Sequence, residues 1–107
     1  MASTGLSLSA AAILQAVDRG FVYGFDIMDA TGLPSGTVYP ALRRMEAAGL
    51  ITSRWESAAQ AQRDQRPARK YYELTPGGHA ARKAASHRYR LADAPRQRAA
   101  KPSPASR

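Results

Sequence analysis

The four residues Thr31-Gly32-Leu33-Pro34 constrain the fold more than any other feature of the chain. Glycine tolerates a left-handed backbone, and the residue before a proline is pushed out of the helical region. The segment therefore stops one helix and precedes another. Tyr23 to Ala30 reads as a short helix with Phe25, Ile27 and Met28 on its apolar side. Ser35 to Ala48 reads as a longer one, with Val38, Leu42 and Met45 at spacings of four and three on its buried stripe. Tyr39, Arg43 and Arg44 then project elsewhere, and Pro40 falls in or just after the first turn, where it is tolerated.

Upstream, Ser7 to Arg19 carries Leu8, Ala11, Ala12, Ile13, Leu14, Ala16 and Val17 at helical spacing, with Ser7 as N-cap and Gly20 as stop. Downstream of Gly49 the periodicity changes. Leu50 to Glu56 and Arg69 to Thr75 read as two antiparallel strands. Between them, residues 57 to 68 form a polar loop too long for a tight turn. Thr75 and Pro76 open a last helix reaching about Ala92, capped by one and begun by the other. The chain thus divides into a domain over 1–75, a C-terminal helix over 76–92 and a disordered basic tail over 93–107. The fold class is mainly α with a small β-hairpin: a winged helix-turn-helix with an additional C-terminal helix.

Charge points to the partner. Residues 1 to 53 hold three basic and four acidic side chains, whereas residues 54 to 107 hold thirteen basic and four acidic ones, giving the chain a net charge of +8. Such asymmetry fits a polyanion met from one side, or a solubilising tail. A major groove about 12 Å wide admits one helix, whose leading residues meet base edges and phosphates. Here these are Ser35, Gly36, Thr37 and Tyr39, with Arg43 one turn on and Arg44 beside it. Ser35 and Thr37 are equally suited to capping, Tyr39 to packing against the first helix, and Arg43 and Arg44 to a solvated face. Arg63 and Arg66 on the loop, reinforced by Arg69 and Lys70 at its base, would lie along flanking phosphates or dip into a minor groove, with only Asp64 opposing them; the other reading is a flexible, solvated hairpin.

The run YGFDIMDATGLPSGTVYPALRRMEAAGLITSRWE, followed after the loop by RPARKYYELTPGG, resembles the PadR family of bacterial transcriptional regulators over about residues 6 to 80. The resemblance implies a repressor that binds a palindromic promoter site on double-stranded DNA as a homodimer, often released by a small-molecule effector. It matches Ser35 to Ala48 with the recognition helix and Trp55 to Lys70 with the wing. Compared with many members, the segment before Gly36 is shorter. The C-terminal region is short and alanine-rich, and lacks the apolar dimerisation helices of long members. Close helix approach at Ala80, Ala81, Ala84 and Ala85, with Leu91, is the expected basis of dimerisation.

Other classes find less support. His79 and His87 lie two turns apart in a basic helix, too far for a metal pair on adjacent turns, so neither catalysis, a metal nor a cofactor is expected. The chain has no cysteine. With no long apolar run and no signal-peptide pattern, a cytoplasmic protein without membrane contact is expected, associated with the nucleoid when on DNA. The alternative is a basic module that binds RNA or acts through protein contact. Against RNA, Trp55, Tyr71 and Tyr72 fall on strands, where core packing and strand pairing suit them better than stacking with splayed bases.

Overall fold

The computed structural model describes residues 6–90. Three helices come first: α1 (Leu8–Asp18), α2 (Gly24–Thr31) and α3 (Ser35–Ala47). A hairpin of β1 (Ile51–Trp55) and β2 (Lys70–Leu74) follows, with a short helix, α4 (Ala58–Arg63), between its strands, and α5 (Pro76–Tyr89) closes the order. This is the winged helix-turn-helix expected, with its additional C-terminal helix. The expected ends Leu91 and Ala92 of that helix, and the tail beyond, lie outside the described residues.

Local chemistry sets the boundaries. The Ser7 hydroxyl accepts the Ala10 N–H at 3.1 Å, satisfying one of the amides that a helix start leaves open. Gly32 ends α2 in the left-handed region at φ 73°, with its N–H donating to the Met28 carbonyl at 2.8 Å. Pro34 then precedes α3, which starts at Ser35 with no side-chain cap, so Ser35 and Thr37 do not cap this helix. Pro40 stands inside α3.

One core joins these parts. Ile13, Leu14 and Val17 of α1, Val22, Ile27 of α2, Val38, Leu42 and Met45 of α3, Ile51 of β1 and Tyr71 and Tyr72 of β2 form a single buried cluster. Ile13, Leu14, Ile27 and Leu42 are almost fully enclosed, so truncating any of them to alanine costs about 2–5 kcal/mol. That is a large part of the stability of so small a domain.

The hairpin is antiparallel, with Ile51 opposite Leu74, Ser53 opposite Tyr72 and Trp55 opposite Lys70. Because side chains alternate along a strand, these six share one face. A second attachment comes from the α1–α2 connection: the Tyr72 N–H donates to the Val22 carbonyl at 3.0 Å, and Tyr23 bridges to Tyr71. At its other end the hairpin meets α5. Thr75 donates its N–H to the Leu50 carbonyl and its hydroxyl to the Gly49 carbonyl, while its hydroxyl oxygen caps Gly78 at 2.9 Å. Gly78 is buried there, and a side chain on it would overlap the Leu50 carbonyl.

Two expectations are corrected. Phe25, read as part of the apolar side of α2, is 73% exposed, because only Ile27 and the half-buried Met28 turn toward the core. The polar loop over 57–68 contains α4, begun by Ser57, whose hydroxyl accepts the Gln60 N–H at 3.0 Å.

Candidate nucleic-acid interface

The outer side of α3 is the complement of its buried stripe. With Val38, Ala41, Leu42 and Met45 turned inward, Ser35, Gly36, Arg43 and Arg44 are exposed, and Thr37 is half-buried. Tyr39 is 37% exposed and lies against Gly24 of α2 rather than against α1. Glu46, one turn beyond Arg43, accepts the Ser53 hydroxyl at 2.7 Å and so fixes α3 to β1.

The hairpin contributes Trp55 and Lys70. Trp55 is 64% exposed, and the Lys70 ammonium stands 5.5 Å from the centre of its ring. Sequence reasoning assigned Trp55 to core and strand pairing. At the outer end of β1, opposite Lys70, it lies on the strand face whose last core residue is Tyr72, since the buried Tyr71 points to the other face.

Behind the wing lies a buried carboxylate that the sequence did not reveal. Glu56 accepts from the Tyr23 hydroxyl at 2.9 Å, from both terminal nitrogens of Arg66 at 2.5 and 3.1 Å, and from the Arg69 backbone N–H at 3.0 Å. The Arg69 guanidinium adds a contact at 3.4 Å and stacks 3.7 Å from the centre of the Tyr23 ring. Arg66 chiefly, then the Arg69 and Tyr23 donors, holds the Glu56 carboxyl far below the usual carboxylate range against the opposing effect of burial. The same arrangement raises the Tyr23 hydroxyl, first through burial and then through Glu56, and raises Arg66 through Glu56.

The ten residues expected to meet DNA therefore divide. Ser35, Gly36, Tyr39, Arg43 and Arg44 are exposed on α3, Thr37 is partly covered, and Lys70 of β2 lines a groove with Tyr39 and Arg43. Arg66 is folded onto Glu56 and, at 2.8 Å, onto Asp64. Arg69 is half-buried on Tyr23, and Arg63 is exposed on α4, donating to the Gln60 side chain at 2.9 Å. A groove of about 430 Å³ opens between α2, α3 and the hairpin, lined by Tyr39, Arg43, Trp55, Lys70 and Tyr72 with Tyr23, Gly24, Phe25 and Arg69. Burial, and then the nearby Glu46 charge, raise the Tyr72 hydroxyl.

The alanines of α5 also divide. Ala85 is buried and Ala81 packs on the core of its own chain, through the contact of α5 with α1, whereas Ala80 and Ala84 are exposed. Asp18 of α1 receives Arg82 at 3.4 Å and His79 at 3.5 Å across the same contact. Among the described residues no helix is long and apolar enough to cross a membrane, and no group of three metal-ligating side chains gathers.

No curated protein matches the chain. Among solved structures, a PadR family transcription regulator from a hypervirulent Clostridium difficile superposes with a TM-score of 0.68 at 27% identity, over 78% of this chain and 88% of that one. The Streptococcus mutans protein smu.1704 gives a TM-score of 0.66 at 25% identity, over 83% and 84% of the two chains. Bordetella bronchiseptica BpsR, whose DNA binding is regulated by 6-hydroxynicotinic acid, shares the fold with a TM-score of 0.66 at 19% identity, over 84% of this chain and 64% of that one. The profile of the transcriptional regulator PadR-like family matches residues 13–84, a span running from α1 through the hairpin into α5. A winged helix-turn-helix whose sequence fits that profile across most of its described length belongs to the PadR-like family, whose members are transcriptional regulators and not enzymes.

Proposed function

We propose that the protein binds double-stranded DNA as a two-fold homodimer at a palindromic promoter site and represses transcription from it. One observation carries this reading: Ser35, Gly36, Tyr39, Arg43 and Arg44 are exposed along α3, and Lys70 of the hairpin lines one groove with Tyr39 and Arg43. In that arrangement α3 enters the major groove with its first turn at base edges, and Arg43, Lys70 and Arg63 meet flanking phosphates. Arg66 and Arg69 support the wing from behind through Glu56. Recognition helices must stand about 34 Å apart to read successive major grooves, which one copy of the chain cannot achieve. The exposed Ala80 and Ala84 side of α5 is the surface offered to the second copy. Release by a small effector belongs to the same proposal, for which the ligand-regulated BpsR is a precedent on this fold. Action on promoter DNA places the protein in the bacterial cytoplasm, at the nucleoid.

Sequencing of the genomic DNA fragments retained by the purified protein tests the reading. A shared palindrome with half-sites one helical turn apart is the expected result. Tighter binding of structured RNA than of duplex DNA at matched salt, or retained fragments with no common motif, would overturn it.

A further inference from the structure

Phe25 and Trp55 are the two most exposed aromatic side chains of the described residues, and both line the groove between α2, α3 and the hairpin. Large apolar groups left open to water beside one concave surface mark a place where something else covers them. The lining identifies what that is. Its charged members are Arg43, Arg69 and Lys70, and none of the described lining side chains is acidic. Arg69 is already held by Glu56 and Tyr23, which leaves the exposed Arg43 on α3 and Lys70 on the wing as the cations on the two sides. An occupant that offers apolar faces between negative charges fits this set, and a polynucleotide strand has that character: deoxyribose rings between phosphates. We infer that the groove seats one sugar-phosphate strand of duplex DNA, with Phe25 and Trp55 as apolar walls against its deoxyribose rings.

This inference rests on the DNA-binding reading and adds a salt-independent component to it. Phosphate contacts release counterions, so their contribution falls as salt rises, with a logarithmic slope of about 0.9 per contact. Contacts of Phe25 and Trp55 with sugar release none. They also carry no base preference, which makes a mixed-sequence duplex a sufficient probe.

The experiment measures binding of a 30-base-pair mixed-sequence duplex to the full chain over a range of salt, for the wild type, Phe25→Ala, Phe25→Leu, Trp55→Ala and Lys70→Gln. Phe25→Ala and Trp55→Ala are expected to weaken binding about tenfold at every salt concentration without changing the slope, as loss of a partly buried aromatic contact would. Phe25→Leu retains most of the affinity, and Lys70→Gln lowers the slope by about 0.9. Trp55 is the only tryptophan in the chain, so its fluorescence reports on the groove directly: added duplex is expected to protect it from acrylamide quenching. Both exposed aromatics lie outside the core, and an unchanged melting temperature confirms folding of each variant. A wild type that does not bind duplex removes the DNA-binding reading and this inference with it. Normal wild-type binding with unchanged affinity in both alanine variants removes the inference alone. So does a slope that falls with them, or protection of Trp55 that rises with protein concentration in the absence of DNA, which would place a second copy in the groove.

Discussion

Tyr39 occupies the space that a side chain at Gly24 would need: a Cβ built on Gly24 falls 2.6 Å from the Tyr39 Cε1 and 2.7 Å from its Cζ. Gly24 opens α2 and Tyr39 lies on the outer side of α3, so this contact sets where the Tyr39 hydroxyl stands relative to Arg43. The obstructing atoms belong to the far end of one side chain, which can swing away while the backbone stays in place.

Gly24→Ala should therefore displace Tyr39 while leaving the melting temperature within a few degrees of wild type. Duplex affinity is expected to fall about as much as in Tyr39→Ala, by roughly tenfold, the worth of about one hydrogen bond. In the double variant the two losses should not add, since both act through one ring. Additive losses in titrations of the two single variants and the double one would separate Gly24 from Tyr39.

Glu56 makes stability depend on pH in a definite direction. Its folded carboxyl is held below its unfolded value, so its contribution is complete above about pH 4.3 and is lost as pH falls toward and through the lower folded value. Glu56→Gln should cost about 1–3 kcal/mol at neutral pH, because Arg66 and Arg69 lose a charged acceptor. Urea unfolding of both proteins at neutral pH and at about pH 3.5 provides the check. The gap between them is expected to narrow in acid, and an equal gap at both values would mean that the ionised carboxylate is not its source.

The cluster around Glu56 also shows which features sequence can carry. Caps at Ser7 and Thr75 and the stop at Gly32 were legible because each depends on residues a few positions apart, and each strand was legible from its own run of β-forming residues. The α4 helix had such a signal too: Ser57 followed three positions later by Gln60, among alanines, is a capping-box pattern before good helix formers. The burial of Glu56 had none, since Tyr23 lies 33 positions away and Arg66 and Arg69 lie beyond a loop. For the same reason charge counting assigned Arg66 to phosphate. Phe25 followed the helical period but sits in the first turn of α2, where one side has left the core, and only packing decides that.

Single substitutions on the wing should separate support from contact. Arg66→Gln is expected to destabilise the protein and leave the salt dependence of duplex binding almost unchanged, because its guanidinium is held by Glu56 and Asp64. Arg43→Gln should have the opposite profile, with normal unfolding and a slope lowered by about 0.9. Salt titrations and thermal melts on the same samples distinguish the two. A lowered slope for Arg66→Gln would show that the arginine leaves Glu56 when DNA arrives.

Assembly is best tested on the side of α5 that its own chain leaves open. Cutting α5 away would also remove the buried Ala85 and the contact of α5 with α1, and so confound folding with association. Ala84→Glu changes an exposed position instead and should shift sedimentation toward the monomer with circular dichroism unchanged. In the wild type, association should tighten as salt rises, since Lys83, His87 and Arg88 crowd the same exposed surface with mostly positive charge. A dimer unaffected by Ala84→Glu would require a different seam.

The seating of Gly78 under the Leu50 carbonyl has a mechanical meaning. Hydrogen bonds from Thr75 to Gly49 and Leu50 and the close approach of Gly78 meet at one point, where α5 starts and the hairpin is rooted. The long arm on one side is α5, and the short arm on the other is the wing. Were a second copy of the chain to turn α5, as the proposed dimer would allow, the hairpin would turn with it about that point, where Gly78 lies directly under the Leu50 carbonyl.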